Sequence, residues 1–138
     1  VNTLAHVLQQ LGSHHVMVVN GEDGLDEITI SNVTHVAEFK DGKIKEYQIK
    51  PEDFGLQTAP IETIQVHDAE HAKTMLMSVL KNQIGPARDI VLLNAGAAIY
   101  VSGIADTLKQ GIEKAHRAIE TGAALNKLQT LITFSHQN

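Results

Sequence analysis

The stretch HVMVVNGEDGLDEITIS, residues 15–31, decides how this chain is read. Val16, Met17, Val18 and Val19 form a short unbroken apolar run, the pattern of a strand buried on both faces in a parallel sheet. The character then flips. Asn20-Gly21 and Asp23-Gly24 are turn-formers that tolerate positive φ, and they deliver Asp26 and Glu27 side by side just past the strand's end. In open α/β sheets, ligands bind at the carboxyl ends of the strands. Adjacent carboxylates there suit a hard divalent cation, because like charges held together cost free energy that the ion removes. A solvated turn that is merely acidic is the competing reading, and the spacing alone leaves both open. An EF-hand is excluded, since no frame starting at Asn20, Asp23 or Asp26 supplies its alternating ligands, central Gly and distal Glu. No G-x-G-x-x-G dinucleotide fingerprint occurs.

Working outward, residues 2–11 carry Leu4, Ala5, Val7, Leu8 and Leu11 at helical spacing, and Gly12 ends the run. After the acidic loop, residues 34–39 and 44–49 are β-prone and meet across Asp41-Gly42, a strong hairpin signal. Pro51 stops the second strand, and residues 51–60 read as an irregular connection. From Asp68 onward the pattern is helical. Asp68 caps residues 69–80, with Ala69, Ala72, Met75, Leu76, Val79 and Leu80 on one face, and Gly85-Pro86 breaks that helix. Asp89 is a candidate start for a second helix over 90–101, apolar on nearly every side and therefore central in the helical layer. Its small residues Ala95, Gly96, Ala97 and Ala98 invite close packing, and Asn94 among them needs a hydrogen-bond partner. Asp106 or Thr107 caps a third helix with Leu108, Ile112, Ala115 and Ile119 inward, ending at Thr121-Gly122. Residues 123–134 complete the set with Leu125, Leu128, Leu131 and Ile132, while Met75 and Met77 read as packing residues rather than ligands.

Strand and hairpin first, helices later, predicts an α/β layer arrangement rather than a self-sufficient alternating βαβ domain. A strand such as 16–19 expects parallel neighbours and helices on both sides, yet the chain supplies few strands of its own. The domain is therefore expected to be incomplete. Its exposed strand edge and the uncovered face of the first helix should either recruit another chain or leave that helix mobile.

Composition sets the outer bounds. With 138 residues and 43% hydrophobic content, one ordinary core is the prior. A formal charge of −5 with scattered basic residues argues against nucleic acid as the main partner. No apolar run reaches the length of a membrane span. The absence of cysteine excludes disulfide and thiol chemistry and is compatible with a reducing compartment. Val1 in place of an initiator Met suits a processed or excised piece. One further motif stands out: His67-Asp68-Ala69-Glu70-His71 fits H-x-x-E-H, which on a helix would align His67 and His71 as zinc ligands. Against this, His67 precedes the N-cap Asp68, and acidic residues are expected in a first turn from the helix dipole alone. His14 and His15 read as helix-end charges or turn residues rather than ligands.

The segment GEDGLDEIT, residues 21–29, closely resembles the signature loop of the anthranilate phosphoribosyltransferases, enzymes of tryptophan biosynthesis. Residues 4–12, THVAEFKDG at 34–42, PEDFGL at 51–56, DIVLLNAGAAIY at 89–100 and GIEKAHRAIETG at 111–122 resemble further family segments in the same order, so the likeness covers nearly the whole chain. It covers only the C-terminal part of that enzyme. The resemblance implies a transferase with an α/β, phosphoribosyltransferase or nucleoside-phosphorylase-like fold, of which residues 1–138 form a single incomplete C-terminal segment. It implies a homodimeric, cytoplasmic parent that moves phosphoribose from phosphoribosyl diphosphate to anthranilate. It also implies magnesium as cofactor, with Asp26 and Glu27 on the motif positions that hold it, and no general base or nucleophile from this stretch. The family's glycine-rich phosphate loop, its anthranilate-binding residues and its helical dimerisation domain precede the matched region. The segment alone is therefore expected to be inactive. Asn20 stands where these enzymes often have histidine. The alternatives are a related phosphoribosyltransferase-like or nucleoside-phosphorylase-like protein with another acceptor, or a non-catalytic interaction module on the same scaffold.

Overall fold

The computed structural model describes residues 1–136. In chain order the elements are α1 (Asn2–Gln10), β1 (Val16–Gly21), β2 (Thr34–Lys40), β3 (Lys43–Ile49), short 3-10 turns at Pro51–Phe54 and Ile61–Ile64, then α2 (Ala69–Leu80), α3 (Pro86–Val101), α4 (Leu108–Glu120) and α5 (Ala123–Ser135). The hairpin forms where expected: Asp41 and Gly42 both take positive φ, 50° and 76°, the pairing that matches the twist of the flanking strands. It sets Lys40 opposite Lys43 and Phe39 opposite Ile44.

The order in the sheet is β1-β2-β3, and β1 runs antiparallel to β2, with Val16 opposite Phe39 and Gly21 opposite Thr34. This corrects the parallel setting expected for residues 16–19. The apolar run reflects helices on both faces rather than parallel neighbours. Asn2 of α1 hydrogen-bonds Glu46, which pairs with Ala37, so α1 covers the face of Ala37 and Phe39. Tyr100 of α3 hydrogen-bonds Glu38, so α3 lies on the opposite face. There Val36 and Ile49 join Ile28, Ile30, Leu92, Leu93, Ile112, Ala115 and Ile119 in the core, with Met17, Val19 and Tyr47 packed against it. Residues 16–19 are half-buried, and among the described residues β1 has a single neighbour, so its outer edge is open. On α1 only Ala5 is buried, while Leu4, Val7 and Leu11 form an exposed stripe at helical spacing.

In the helical layer the Asp68 carboxylate accepts from His71 N at 2.7 Å, capping α2 as expected. The second helix begins a turn earlier than Asp89. Gly85 is its N-cap and Pro86 its first residue, a position where proline's missing N–H costs nothing and its φ is already helical. Asp89 instead sits in the first turn, where the helix dipole favours a negative charge. Thr107 rather than Asp106 caps α4, its hydroxyl accepting from Gln110 N at 3.2 Å. Ile112, Ala115 and Ile119 are buried, and Leu108 is half-buried. On α5, Leu125 and Leu128 are half-buried, but Leu131 and Ile132 are exposed, contrary to their expected inward role. The helix outruns the layer it packs on.

α3 and α4 meet backbone to backbone. A Cβ on Gly111 would lie 2.2 Å from the Gly96 carbonyl oxygen, and one on Gly96 would lie 2.7 Å from Ile112 Cα. This is the close packing that residues 94–98 suggested, with Gly111 as its partner.

Glu38, 9% exposed in the middle of β2, ties three elements together. Its Oε1 accepts from His15 Nε2 at 2.8 Å and from the Tyr100 hydroxyl at 2.7 Å, and its Oε2 accepts from the Tyr47 hydroxyl at 2.8 Å. Lys40 Nζ donates to the Tyr100 hydroxyl at 3.2 Å and sits 4.6 Å over its ring, a cation–π contact. Burial pushes the Glu38 carboxyl up, but the donors, Tyr100 first, outweigh it and hold it below its ordinary value. Both tyrosines are pushed up by burial and by bonding to that carboxylate. His15, in the bend between α1 and β1, is thus also a partner of a buried acid.

Two outcomes follow from these contacts. Gly111→Ala gains about 1 kcal/mol of helix propensity but forces a methyl into backbone that cannot yield, an overpacking cost of up to about 3 kcal/mol. A net loss of about 2 kcal/mol in denaturant unfolding is expected, and a chain as stable as the parent would refute the contact. For Glu38, a depressed folded pKa means that its stabilisation is present above the unfolded value and lost as pH falls through the folded one. Glu38→Gln should therefore cost roughly 1–3 kcal/mol at neutral pH, because one donor is left facing an amide N–H. That deficit should shrink as the pH drops below the ordinary carboxylate range, and a pH-independent deficit would exclude the charge as its source.

Candidate functional site

The acidic loop is built by its own polar residues. β1 ends at Gly21, whose N–H donates to Leu25 O at 2.8 Å, while Gly24 N returns to Gly21 O at 3.0 Å and Glu22 N to Val33 O at 2.9 Å. Gly21 is required here, since a Cβ would stand 2.5 Å from Asp23 Oδ1 and 3.0 Å from Thr29 Cβ. Asp23 fills that space. It accepts from Leu25 N at 3.1 Å and from the hydroxyls of Thr29 and Ser31. Burial raises its carboxyl pKa, but the bonds from Ser31, Thr29 and Leu25 outweigh it and hold the group ionised below its usual range. Thr29, fully buried, donates its N–H to Thr34 Oγ1 at 3.0 Å, which ties the loop's far end to β2. Asn20 Nδ2 reaches Leu25 O at 3.4 Å.

The other anchor comes from α3. Asn94 Oδ1 accepts from Ile28 N at 2.9 Å and its Nδ2 donates to Ile28 O at 2.9 Å, with a further bond to Ile90 O at 3.0 Å. Ile28 itself is 2% exposed in the core. The sequence showed that Asn94 needed a partner; it could not show that the partner was this loop.

Asp26 and Glu27 lie between the two anchors, both exposed. The ion pairs among the described residues, His15–Glu38, His35–Glu22, Lys73–Glu70 and Arg88–Asp89, involve neither. Among the described residues no cluster of three or more His, Cys, Asp or Glu could hold a metal ion. A cation here would therefore take one or two carboxylates and complete its sphere with water and ligand oxygens. This suits magnesium, which keeps several waters and is commonly bound through one or two carboxylates plus phosphates. The oxygen donors of Asp26 and Glu27 are of the type that ion takes.

The H-x-x-E-H segment does not form a zinc-protease helix. α2 starts at Ala69, so His67 lies outside it, and Asp68 acts as the N-cap. Although the His67 and His71 rings come within 5.4 Å, Glu70 is turned to Lys73 at 3.8 Å. No helix among the described residues is long and apolar enough to cross a membrane.

Residues 1–125 match the family described as "Glycosyl transferase family, a/b domain". The chain is 57% identical over 141 aligned positions to the anthranilate phosphoribosyltransferase of Nitrosospira multiformis, covering 99% of this chain and 40% of that protein. Among solved structures, the anthranilate phosphoribosyltransferase of Thermus thermophilus superposes with a TM-score of 0.85 at 32% identity, over 95% of this chain and 38% of that one. The Saccharomyces cerevisiae enzyme in complex with PRPP and Mg gives 0.70 at 28% identity, over 82% and 33%. The chain thus spans about 40% of the length of the curated relatives it matches. With its hairpin sheet, its acidic loop and its helices through α4 inside the matched region, the chain belongs to the glycosyl transferase family with the a/b domain, and relatives at more than half identity are anthranilate phosphoribosyltransferases.

Proposed function

We propose that this chain is the C-terminal segment of an anthranilate phosphoribosyltransferase and presents Asp26 and Glu27 as the magnesium ligands that address the diphosphate of phosphoribosyl diphosphate. The observation that carries this reading is the pair's placement. Two exposed carboxylates, outside every ion pair among the described residues, are suspended between Asp23 and Asn94, in a chain that is 57% identical to such an enzyme. The complete enzyme forms a bond from the anthranilate nitrogen to the anomeric carbon and breaks the bond from that carbon to diphosphate. Positive charge develops on the sugar and negative charge on the leaving group. Magnesium, when bound, neutralises that departing charge.

The chain's own part is to hold and aim. Asp26 and Glu27 supply oxygen donors, Asp23 fixes the turn before them, and the buried Ile28 fixes the loop after them. Neither carboxylate acts as base or nucleophile. Groups for the ribose phosphate and for anthranilate belong, on this reading, to the remaining length of the enzyme. The open edge of β1 and the exposed Leu4, Val7 and Leu11 stripe suit a surface that the same remaining length would cover.

The 138-residue chain assayed alone with magnesium, anthranilate and phosphoribosyl diphosphate should show no turnover; activity that follows it through purification would refute the assignment. In the complete protein, Glu27→Gln should weaken magnesium dependence and lower the rate by at least the roughly 10–100-fold that losing even an outer-shell metal partner costs. Stability should stay within about 0.5 kcal/mol, because the side chain is exposed. Equal activity at limiting magnesium would sink the metal-ligand role.

A further inference from the structure

We propose that Asn94 is the positioning residue for the Asp26–Glu27 pair, clamping both backbone groups of Ile28 so that the two carboxylates stand where one cation can meet them. This rests on the metal reading above and adds to it the device that makes two exposed side chains a site. A flexible loop carrying adjacent acids would spread them over many arrangements, and each arrangement lost on binding would weaken the ion's hold. Here Ile28 directly follows Glu27, and its N–H and C=O are both taken up by one amide side chain at 2.9 Å. That side chain is itself fixed: its third bond, to Ile90 O at 3.0 Å, runs one turn back along α3 and sets its rotamer. α3 is held in turn by the backbone contact of Gly96 with Gly111 and Ile112. The chain of support therefore runs from the helix pair through Asn94 to Ile28 and so to Glu27. Asp23 does the corresponding work at Leu25, on the other side of the pair.

The clamp is specific to an amide of this length. Leucine has the same shape but leaves both Ile28 groups without a partner, whereas an ordinary core change leaves them untouched. The test uses the complete protein that contains this segment, with Mn²⁺ and phosphoribosyl diphosphate as the probe, read by paramagnetic broadening of backbone amide signals. In the unaltered chain, broadening should centre on Asp26 and Glu27 and disappear in Asp26→Asn. Asn94→Leu should raise the apparent Mn²⁺ dissociation constant about 10-fold, the lower end of what outer-shell metal partners contribute, and should speed exchange of the Ile28 amide. Ile119→Val, which trims the core on α4 and leaves the Asn94–Ile28 bonds in place, should lower the melting temperature and leave the Mn²⁺ constant unchanged. Full-strength binding in Asn94→Leu, or equal weakening in Ile119→Val, would overturn the positioning role while leaving the metal reading intact. No Asp26-dependent binding in the unaltered chain would overturn both. Exchange at Ile28 in the unaltered chain is a second measure that needs no variant: protection equal to that of the β2 amides supports the clamp, and rapid exchange overturns it.

Discussion

The approach of α3 to α4 is the constraint from which most of the molecule follows. With Gly96 and Gly111 facing each other, the two helix backbones touch without intervening side chains, so α3 has a single depth in the layer rather than a range of them. That depth matters because α3 carries the polar tethers. Asn94 reaches the acidic loop and Tyr100 reaches Glu38, six residues and about 9 Å apart along the axis. Leu92 and Leu93 fill the core alongside. Dispersion and burial hold α3 down; the two tethers fix how it sits on the sheet.

Carboxylates near this sheet have opposite fates, and hydrogen bonding to protein donors separates them. Asp23 and Glu38 spend their oxygens on protein donors, and both are held ionised below their ordinary values against the cost of burial. A carboxylate so occupied has little left to offer a ligand, and at the buried Glu38 removing its partners would leave a charge poorly solvated. Asp26 and Glu27 are the reverse: exposed, with no ion pair among those of the described residues. The loop thus separates the acid that builds it from the acids it displays. Asp23 and Asp26 are both aspartates in one turn, and only the structure tells them apart.

Features set by neighbours in the chain are legible in the sequence. Gly12, Asp41-Gly42, Asp68 and Thr121-Gly122 mark ends and turns correctly because their signals are local. The start of α3 lies a turn before its sequence expectation because Pro86, a breaker of the preceding helix, is equally a good first residue of the next. The pairing of β1 is beyond local reading: a short apolar run fits a parallel or an antiparallel place equally well, and its partner lies beyond a loop. Exposure of Leu131 and Ile132 depends on where the layer stops, which periodicity does not encode. Glu38 looks like an ordinary acid in a strand; its partners His15, Tyr47 and Tyr100 converge from separate elements, and nothing in their spacing announces it. Asn94 is half legible, since an amide in an apolar helix demands a partner but does not name one.

The open side of β1 lies next to the displayed acids in the chain. β1 leads directly into the loop through Gly21, and among the described residues no strand lies along its outer edge. A strand added there would lie about 4.8 Å away and end or begin beside the turn that carries Asp26 and Glu27. Two carboxylates and an ion cannot, on the proposed reading, by themselves hold a sugar diphosphate, and further donors would have to arrive at the same place. On the proposed reading, the edge that leaves this chain incomplete is also the edge along which those donors would come. Covering the strand and completing the site would then be one event, with Asn94 and Asp23 holding the acidic half ready for it.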